Sequence, residues 1–256
     1  EEEFRLIGME KQRKIWLCIR KCISAYLIKK SYFKQSILRV EKHFYDLENE
    51  NRLSRSMSIN DFIELRKIGS GSSFYSMLIY HIQKGELFVI KKPFGNSPET
   101  PKLMERETKN YLQFQNIFLP IYYGTVKETK NIVIEFITGK TLDNVENKYL
   151  SYDDRINIIF EILIVIQCFH ERHFIYRDLK PNNIMIDENK MVVLIDLDRL
   201  IEVDDSTETC HTLDLFHEFI DPAINQLQRF SYETDIFSIG KIIKYIMRGS
   251  ETNDIF

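Results

Sequence analysis

The segment 176–183 carries polar side chains whose types and spacing could support chemistry. It presents Asp178, Lys180 and Asn183 within six residues, and two short apolar runs then lead across a turn to Asp196. A hairpin between Asn183 and Asp196 would bring their oxygen atoms together. They could then hold one Mg²⁺ ion, because this cation prefers oxygen ligands and phosphate. Asp178 lies close by and is a candidate general base.

The elements before this segment must hold it in position. Residues 155–170 are apolar on almost every side, which predicts a buried helix. Ser151-Tyr152-Asp153-Asp154 precedes them and predicts a capping box with Asp in place of Glu. The polar segment would therefore start from the end of a buried helix.

The chain before Gly139 shows mainly strand patterns. A helix at 100–115 is predicted between the third and fourth of five strands, which we expect at 62–68, 77–82, 86–91, 121–126 and 132–136. After Gly139 the pattern becomes helical. We therefore predict an α+β fold, with a small antiparallel five-stranded sheet and one helix followed by a mainly helical lobe.

The order of these motifs resembles that of eukaryotic protein kinases. Residues 176–183 resemble the catalytic loop and Asp196-Leu197-Asp198 the metal-binding triplet, and Asp196 follows Asp178 by the family's 18 positions. Asp235 lies in a segment that resembles the helix bracing the catalytic loop. The resemblance covers the chain from residue 59 onward.

The resemblance implies a two-lobed protein-kinase-like fold. The N-lobe would occupy residues 59–139 and the C-lobe residues 140–256. The C-lobe is expected to be incomplete, because the family continues through several helices beyond the one that carries Asp235. We therefore expect the chain to be a piece of a longer protein.

The resemblance also implies a nucleotide site. Lys91, in Phe88-Val89-Ile90-Lys91, should bind the α- and β-phosphates of ATP and be held by Glu107, with Glu105 as the alternative partner. The other expected nucleotide contacts lie in a glycine-containing loop and in the hinge that receives adenine: Ile68, Gly69, Gly71, Glu135 and Ile137.

Roles in phosphoryl transfer follow from the same resemblance. Asp196 should bind one Mg²⁺ and Asn183 a second, while Asp178 should accept the proton of the substrate hydroxyl or orient that hydroxyl. Lys180 should neutralise the transferring phosphate. Asp-Leu-Lys-Pro-x-Asn is the family's serine/threonine form of the loop, so the resemblance implies an ATP- and Mg²⁺-dependent protein serine/threonine kinase with protein substrates.

Several positions depart from the family pattern. Phe74 replaces the third glycine of the nucleotide loop, which predicts weaker ATP affinity because the backbone approaches phosphate less freely. Asp198 replaces the glycine of the metal triplet, and Ala223 replaces a glutamate. These changes motivate the alternative hypothesis of a pseudokinase, a nucleotide-binding or scaffolding module with little phosphotransfer, although the intact catalytic set favours an active kinase.

Two further interpretations concern the segment between Asp196 and Pro222. Phe216 falls where serine/threonine kinases usually have a threonine, which weakens the predicted acceptor preference. The hydroxyl residues of this segment are candidate phosphorylation sites or ordinary loop residues: Ser206, Thr207, Thr209 and Thr212.

Charge divides the chain into a basic start and an acidic body. Residues 11–42 hold ten Lys or Arg and one Glu, whereas residues 59–256 have a net charge of −8. Helical spacing predicts a basic α-helical extension at 1–58 that packs on the body or a partner, or docks on an acidic membrane surface or partner protein. The near-neutral net charge of the whole chain, −3, argues against a globally basic nucleic-acid binder. Sparse cysteines predict a cytoplasmic protein.

Overall fold

The computed structural model describes residues 56–71, 73–95, 99–114, 116–146, 149–203, 218–222 and 230–248. The chain divides into two compact units, Glu1–Tyr45 and Asp46–Phe256, and every described residue belongs to the second. The predicted helical extension up to residue 55 lies outside the described residues. So do the interpretations that concern Ser206, Thr207, Thr209, Thr212, Phe216 and Ala223.

Six strands near the start of the described chain form one sheet. They are β1 (Ser56–Met57), β2 (Phe62–Ser70), β3 (Phe74–His81), β4 (Glu86–Pro93), β5 (Tyr122–Val126) and β6 (Ile132–Glu135). Their order across the sheet is β1-β5-β6-β4-β3-β2. β1 runs parallel to β5, and the other neighbouring strands are antiparallel.

This sheet has one strand more than the five predicted. Ser56 and Met57, which we assigned to the end of the helical extension, form β1, and that part of the prediction is wrong. Two residues are too few to show the alternation of apolar and polar side chains that predicts a strand. They pair with Thr125 and Val126, which lie far away in the sequence. Met57 is 4% exposed and clusters with Val126, so hydrophobic burial stabilises this edge strand.

The apolar side chains on the two faces of the sheet belong to different hydrophobic clusters. Val89 belongs to the large core, which includes residues of helix α1 (Thr100–Gln113), whereas Ile90 belongs to a smaller cluster with Met57. Successive side chains of a strand point to opposite faces. Lys91 therefore shares the face of Val89, which is the face that meets α1.

Helix α2 (Tyr152–His170) forms the centre of the large core. Ile158, Ile162 and Ile166 are almost completely buried along it. The predicted capping box is confirmed: the Asp154 backbone N–H donates to Ser151 Oγ, and the Ser151 N–H donates to the Asp154 carboxylate. After α2 the chain forms the short strand β8 (Phe174–Ile175) and enters the polar segment.

Short strands frame the polar segment on its other side. β9 (Ile184–Asp187) and β10 (Val192–Leu194) form the predicted hairpin, and β7 (Gly139–Thr141) pairs with β9. A Cβ atom on Gly139 would lie 2.3 Å from the Ile186 carbonyl oxygen, so this close pairing requires glycine.

The last described elements are β11 (Ile201–Glu202), which pairs with β8, and helix α3 (Tyr232–Met247), which contacts α2. Ile242 and Ile246 of α3 are buried in the large core. Across the described ranges, no helix combines the length and apolar character that a membrane span requires.

Asp154 provides a pH-dependent test of the α2 cap. Burial alone would raise the pKa of its carboxyl, but hydrogen bonds from Lys190 Nζ at 2.6 Å and from Ser151 outweigh burial and hold the pKa below its usual value. We expect Asp154→Ala to lower the free energy of unfolding at pH 7 by about 1 kcal/mol, the usual contribution of a capping side chain. Urea unfolding of the full chain would measure this loss.

The sign of the pH dependence follows from the lowered pKa. Stability from the charged carboxylate is fully present above the unfolded-state value of 3.8 and is lost as pH falls through the folded-state pKa. The stability difference between the wild type and Asp154→Ala should therefore shrink in acid. Asp153→Ala removes an exposed carboxyl from the same turn and is the matched control. A difference that is constant down to pH 2.5 would contradict this assignment.

Candidate active site

Lys91 on β4 lies at the centre of a buried charge cluster. Its Nζ donates hydrogen bonds to both carboxylate oxygens of Glu107 at 2.6 Å and to Oδ1 of Asp196 at 2.7 Å. Glu107 is completely buried on α1, whereas Glu105, the alternative partner, is exposed. The cluster thus links the sheet, helix α1 and the triplet at residue 196.

The charge on Lys91 is favoured despite its burial. Removal from water alone would lower the pKa of the ammonium, because a buried charge loses hydration. Asp196 and Glu107 outweigh this effect and hold the pKa of Lys91 well above its usual value. Lys91 therefore stays positively charged at any physiological pH.

A short turn organises the segment 176–183. Lys180 precedes a single 3₁₀ turn at Pro181–Asn183, and this turn carries the Asn183 side chain back toward Asp178. Asn183 Nδ2 donates to the backbone oxygen of Asp178 at 2.9 Å and to its Oδ2 at 2.8 Å. Lys180 Nζ donates to Oδ1 of Asp178 at 2.8 Å. The three predicted polar residues thus form one hydrogen-bonded group.

Asp235 at the start of α3 holds this loop in position through hydrogen bonds to its backbone. Its carboxylate accepts the backbone N–H groups of Tyr176 and Arg177, both at 2.8 Å, and is completely buried. His170 Nε2, at the end of α2, lies 2.9 Å from the same carboxylate. His170 is not predicted from the sequence, because only the fold brings the end of α2 to the start of α3.

The hairpin brings the triplet back beside the loop. The Ile195 backbone N–H donates to the Asn183 carbonyl at 2.9 Å, and the Tyr176 hydroxyl donates to the Ile195 carbonyl at 2.5 Å. Asp196 itself has a φ angle of +71° and Arg177 one of +68°. Non-glycine residues rarely adopt this left-handed conformation, which concentrates at functional sites.

Side chains of helix α1 also form hydrogen bonds with the backbone in and just after the triplet 196–198. Asn110 is buried, and its Nδ2 donates to the carbonyl oxygens of Leu197 at 2.7 Å and Leu200 at 2.9 Å. The Leu197 N–H lies 3.3 Å from Oε1 of Glu107. Asn110 is not predicted from the sequence, although its position three residues after Glu107 places both side chains on one helix face.

Asp198, which replaces the family's glycine, does not project into solvent. Its side chain is 7% exposed, with Arg199 Nε at 4.0 Å from its carboxylate. Burial and the nearby Asp196 carboxylate raise the pKa of Asp198 well above its usual value. The Asp198 carbonyl accepts a hydrogen bond from Arg106 on α1, which further ties the triplet to this helix.

The oxygen atoms assigned to Mg²⁺ fit such an ion. Within the described residues, no hydrogen bond reaches Oδ1 of Asn183 or Oδ2 of Asp196. One amide and one carboxylate oxygen are ligands that Mg²⁺ favours. The described ranges contain no group of three or more His, Cys, Asp or Glu side chains that could hold a metal. Phosphate and water would therefore supply the remaining ligands.

The predicted hinge also has backbone groups available to a ligand. Glu135 ends β6, where its backbone N–H donates to the Ile121 carbonyl and its carboxylate accepts the Ile121 N–H. Among the described residues, no hydrogen bond uses the backbone N–H or carbonyl of Ile137. Free backbone groups of this kind can pair with the edge of a flat heterocycle such as adenine.

The glycine-containing loop closes the sheet at its β2–β3 end. Ile68 lies near the end of β2 and is 37% exposed, and Gly69 pairs with Ser76. The Gly71 N–H donates to the Phe74 carbonyl at 2.8 Å, which forms a tight turn. The loop therefore lies between the end of β2 and the start of β3, and β3 pairs with the strand that carries Lys91.

A sheet with a buried Lys–Glu pair, joined to helices that hold an Asp-containing loop and a metal-binding triplet, defines the protein kinase fold. The profile of the protein kinase domain matches residues 62–254. The chain belongs to this family, as the sequence motifs predicted.

Three curated relatives show how far the similarity extends. A MAP kinase kinase of Saccharomyces cerevisiae is 29% identical over 176 residues, which cover 64% of this chain and 34% of that protein. The cAMP-dependent protein kinase catalytic subunit of Schizosaccharomyces pombe is 25% identical over 198 residues, covering 75% and 38%. Mitogen-activated protein kinase kinase 2 of Arabidopsis thaliana is 25% identical over 236 residues, covering 86% and 65%. The chain spans about a third of the first two proteins.

Proposed function

We propose that this protein is a serine/threonine kinase that transfers the γ-phosphate of ATP to hydroxyl groups of protein substrates, with Mg²⁺ as cofactor. One observation carries the proposal: all six polar residues that the chemistry needs are present in two hydrogen-bonded groups. Lys91, Glu107 and Asp196 form one group, and Asp178, Lys180 and Asn183 form the other. The departures from the family pattern leave this set intact.

The residues of the two groups have distinct tasks in the proposed reaction, and Mg²⁺ would connect the groups. Lys91, kept charged by its two carboxylate partners, binds nucleotide phosphate oxygens. Asp196 and Asn183 would hold Mg²⁺, which neutralises phosphate charge when bound. Asp178 orients the acceptor hydroxyl and takes its proton, and Lys180 offsets charge on the transferring group. Gly69, Gly71, Ile68 and the hinge residues Glu135 and Ile137 would enclose the nucleotide.

The preference for serine and threonine rests on the catalytic loop. Asp178-Leu179-Lys180-Pro181-Asn182-Asn183 has the family's serine/threonine form, and the Lys180–Asp178 hydrogen bond places an ammonium beside the proposed base. We also propose a cytoplasmic protein with protein substrates. Partner binding by the basic residues 11–42 stays a prediction from their charge.

A transfer assay on the full-length protein tests this function. We expect the wild type to phosphorylate serine and threonine peptides with MgATP, and tyrosine peptides far less. Asp196→Asn removes the carboxylate charge that serves Lys91 and the cation, so it should lower kcat/KM about 10²–10³-fold. A thermal-shift measurement with MgATP separates binding from transfer.

The outcomes separate the two hypotheses. If MgATP raises the melting temperature of the wild type but transfer does not exceed that of Asp196→Asn, the protein is a nucleotide-binding pseudokinase. Transfer to tyrosine peptides alone would overturn the acceptor preference and leave the rest in place.

A further inference from the structure

Phe74 lies on the same face of the sheet as Lys91. It is the first residue of β3 and pairs with Pro93, whereas Lys91 pairs with Ser76, two residues further along β3. Side chains two residues apart on a strand share a face, and diagonal neighbours on adjacent strands are within reach of an aromatic ring. The position that is glycine in the family thus directs a large side chain toward Lys91.

The Phe74 ring covers the Lys91 ammonium. Its centroid lies 5.3 Å from Nζ, a cation–π distance, and Phe74 is only 5% exposed within the large core. The three Nζ hydrogen bonds to Glu107 and Asp196 occupy the donors of the ammonium. The Lys91 side chain is 8% exposed, so solvent and ligands have little access to Nζ.

The backbone around Phe74 is fixed on two sides. The Phe74 carbonyl accepts the Gly71 N–H, and the adjacent Ser73 carbonyl accepts the Phe94 N–H, both at 2.8 Å. Rotation of the ring away from Lys91 would leave these backbone hydrogen bonds and the β3–β4 pairing unchanged.

We propose that Phe74 is a lid on the phosphate end of the nucleotide site, and that its ring must rotate away from Lys91 before ATP phosphates bind there. The inference rests on the proposed nucleotide site and adds a closed resting state to it. Only the fraction of molecules with the ring displaced binds the phosphates, so apparent ATP affinity is reduced by that fraction.

Nucleotide affinity of lid variants tests the proposal. In the full chain, Phe74→Leu and Phe74→Met keep an apolar side chain of similar size but remove the ring from Lys91. We expect both to bind MgATP about tenfold more tightly, by calorimetry, because the closed state loses its cation–π contact. Phe74→Tyr keeps the ring and should bind MgATP as the wild type does.

Phe94→Leu is the matched control. The Phe94 ring lies 4.7 Å from Lys67 Nζ and near Tyr75, so this change also removes a cation–π contact beside the loop but none at Lys91. It should leave MgATP affinity unchanged. Acylation of Lys91, measured by mass spectrometry without nucleotide, should be faster in Phe74→Leu than in the wild type or Phe94→Leu.

These measurements distinguish failure of the lid proposal from failure of the proposed kinase activity. Unchanged MgATP affinity and unchanged Lys91 acylation in folded Phe74→Leu and Phe74→Met would overturn the lid, even if the wild type is an active kinase. Tighter binding in these variants with no phosphotransfer by any form would leave the lid in place and overturn the proposed kinase activity.

Discussion

An Asp178→Asn variant is expected to lose 10²–10⁴-fold in kcat, the usual contribution of a positioned general base, while its MgATP affinity stays close to that of the wild type. Asp178 belongs to the hydrogen-bonded group with Lys180 and Asn183, and the proposed phosphate-binding ammonium of Lys91 belongs to the other group. Phosphotransfer and nucleotide calorimetry on the full-length protein measure the two quantities.

The local hydrogen bonds explain why the change is confined to the chemical step. Oδ1 of an Asn at position 178 can still accept the Lys180 Nζ hydrogen bond. Asn183, a proposed Mg²⁺ ligand, keeps its Nδ2 hydrogen bond to the backbone carbonyl of residue 178, so the turn at Pro181–Asn183 stays supported. The amide cannot accept the proton of a substrate hydroxyl. Loss of an interaction made only with the reacting hydroxyl lowers kcat without changing nucleotide binding.

Asp143→Asn is the control for this prediction, because Asp143 is an exposed carboxyl in a different turn of the chain. It should leave kcat unchanged. An Asp178→Asn variant with wild-type kcat would show that this carboxylate does not act on the acceptor. Loss of the folded state, detected by circular dichroism, would require the same test with Asp178→Glu, which keeps the charge but displaces it.

Local sequence patterns predicted the parts of the site that depend on short-range geometry. The Asp178–Asn183 contact spans five residues and is closed by the single 3₁₀ turn at Pro181–Asn183. The hairpin after Asn183 and the capping box before α2 are likewise decided by residues a few positions apart. In each case the spacing alone constrains where the side chains lie.

Contacts between distant segments could not be derived in this way. Asn110 meets the carbonyls of Leu197 and Leu200 only because α1 packs on the triplet, and His170 meets Asp235 only because α2 and α3 converge. The ring of Phe74 is a similar case. The sequence predicts weaker ATP affinity from the missing glycine, but the strand register that turns the ring toward Lys91 appears only in the fold.

Changes to the buried Lys91–Glu107 pair are also expected to have large effects, on the free energy of unfolding as well as on phosphotransfer. Both side chains are buried, and each relies on the other to offset the cost of removing its charge from water. Breaking such a pair by changing one partner typically costs about 3–5 kcal/mol, because an uncompensated charge stays inside. Replacing both partners by apolar residues avoids this cost.

We therefore expect an order among the variants in urea unfolding. Lys91→Met should destabilise most, because it leaves Glu107 buried near Asp196, a second carboxylate. Glu107→Leu should destabilise less, since Asp196 still accepts a hydrogen bond from Lys91. The double variant Lys91→Met/Glu107→Leu should be more stable than the sum of its single changes predicts, by about 1–3 kcal/mol. All of these variants should lose phosphotransfer, since none keeps the intact Lys91–Glu107 pair.

The pH dependence of Lys91→Met separates a charge effect from a packing effect. In the wild type, burial and Asp196 already raise the pKa of Glu107 above its usual value of 4.5, although Lys91 lowers it. Removal of the ammonium takes away this lowering effect, so the pKa of Glu107 should rise further in Lys91→Met. A raised carboxyl pKa makes the folded state relatively more stable in acid, and this gain is lost as pH rises from 4.5 toward the folded-state pKa. The stability deficit of Lys91→Met should therefore be smallest below pH 4.5 and grow toward neutrality, whereas a packing defect would give the same deficit at every pH.

The adjacent Lys92–Glu64 ion pair is the matched control, because its Glu64 side chain is 43% exposed. Lys92→Met should lower the free energy of unfolding by less than about 1 kcal/mol, since water already screens that pair.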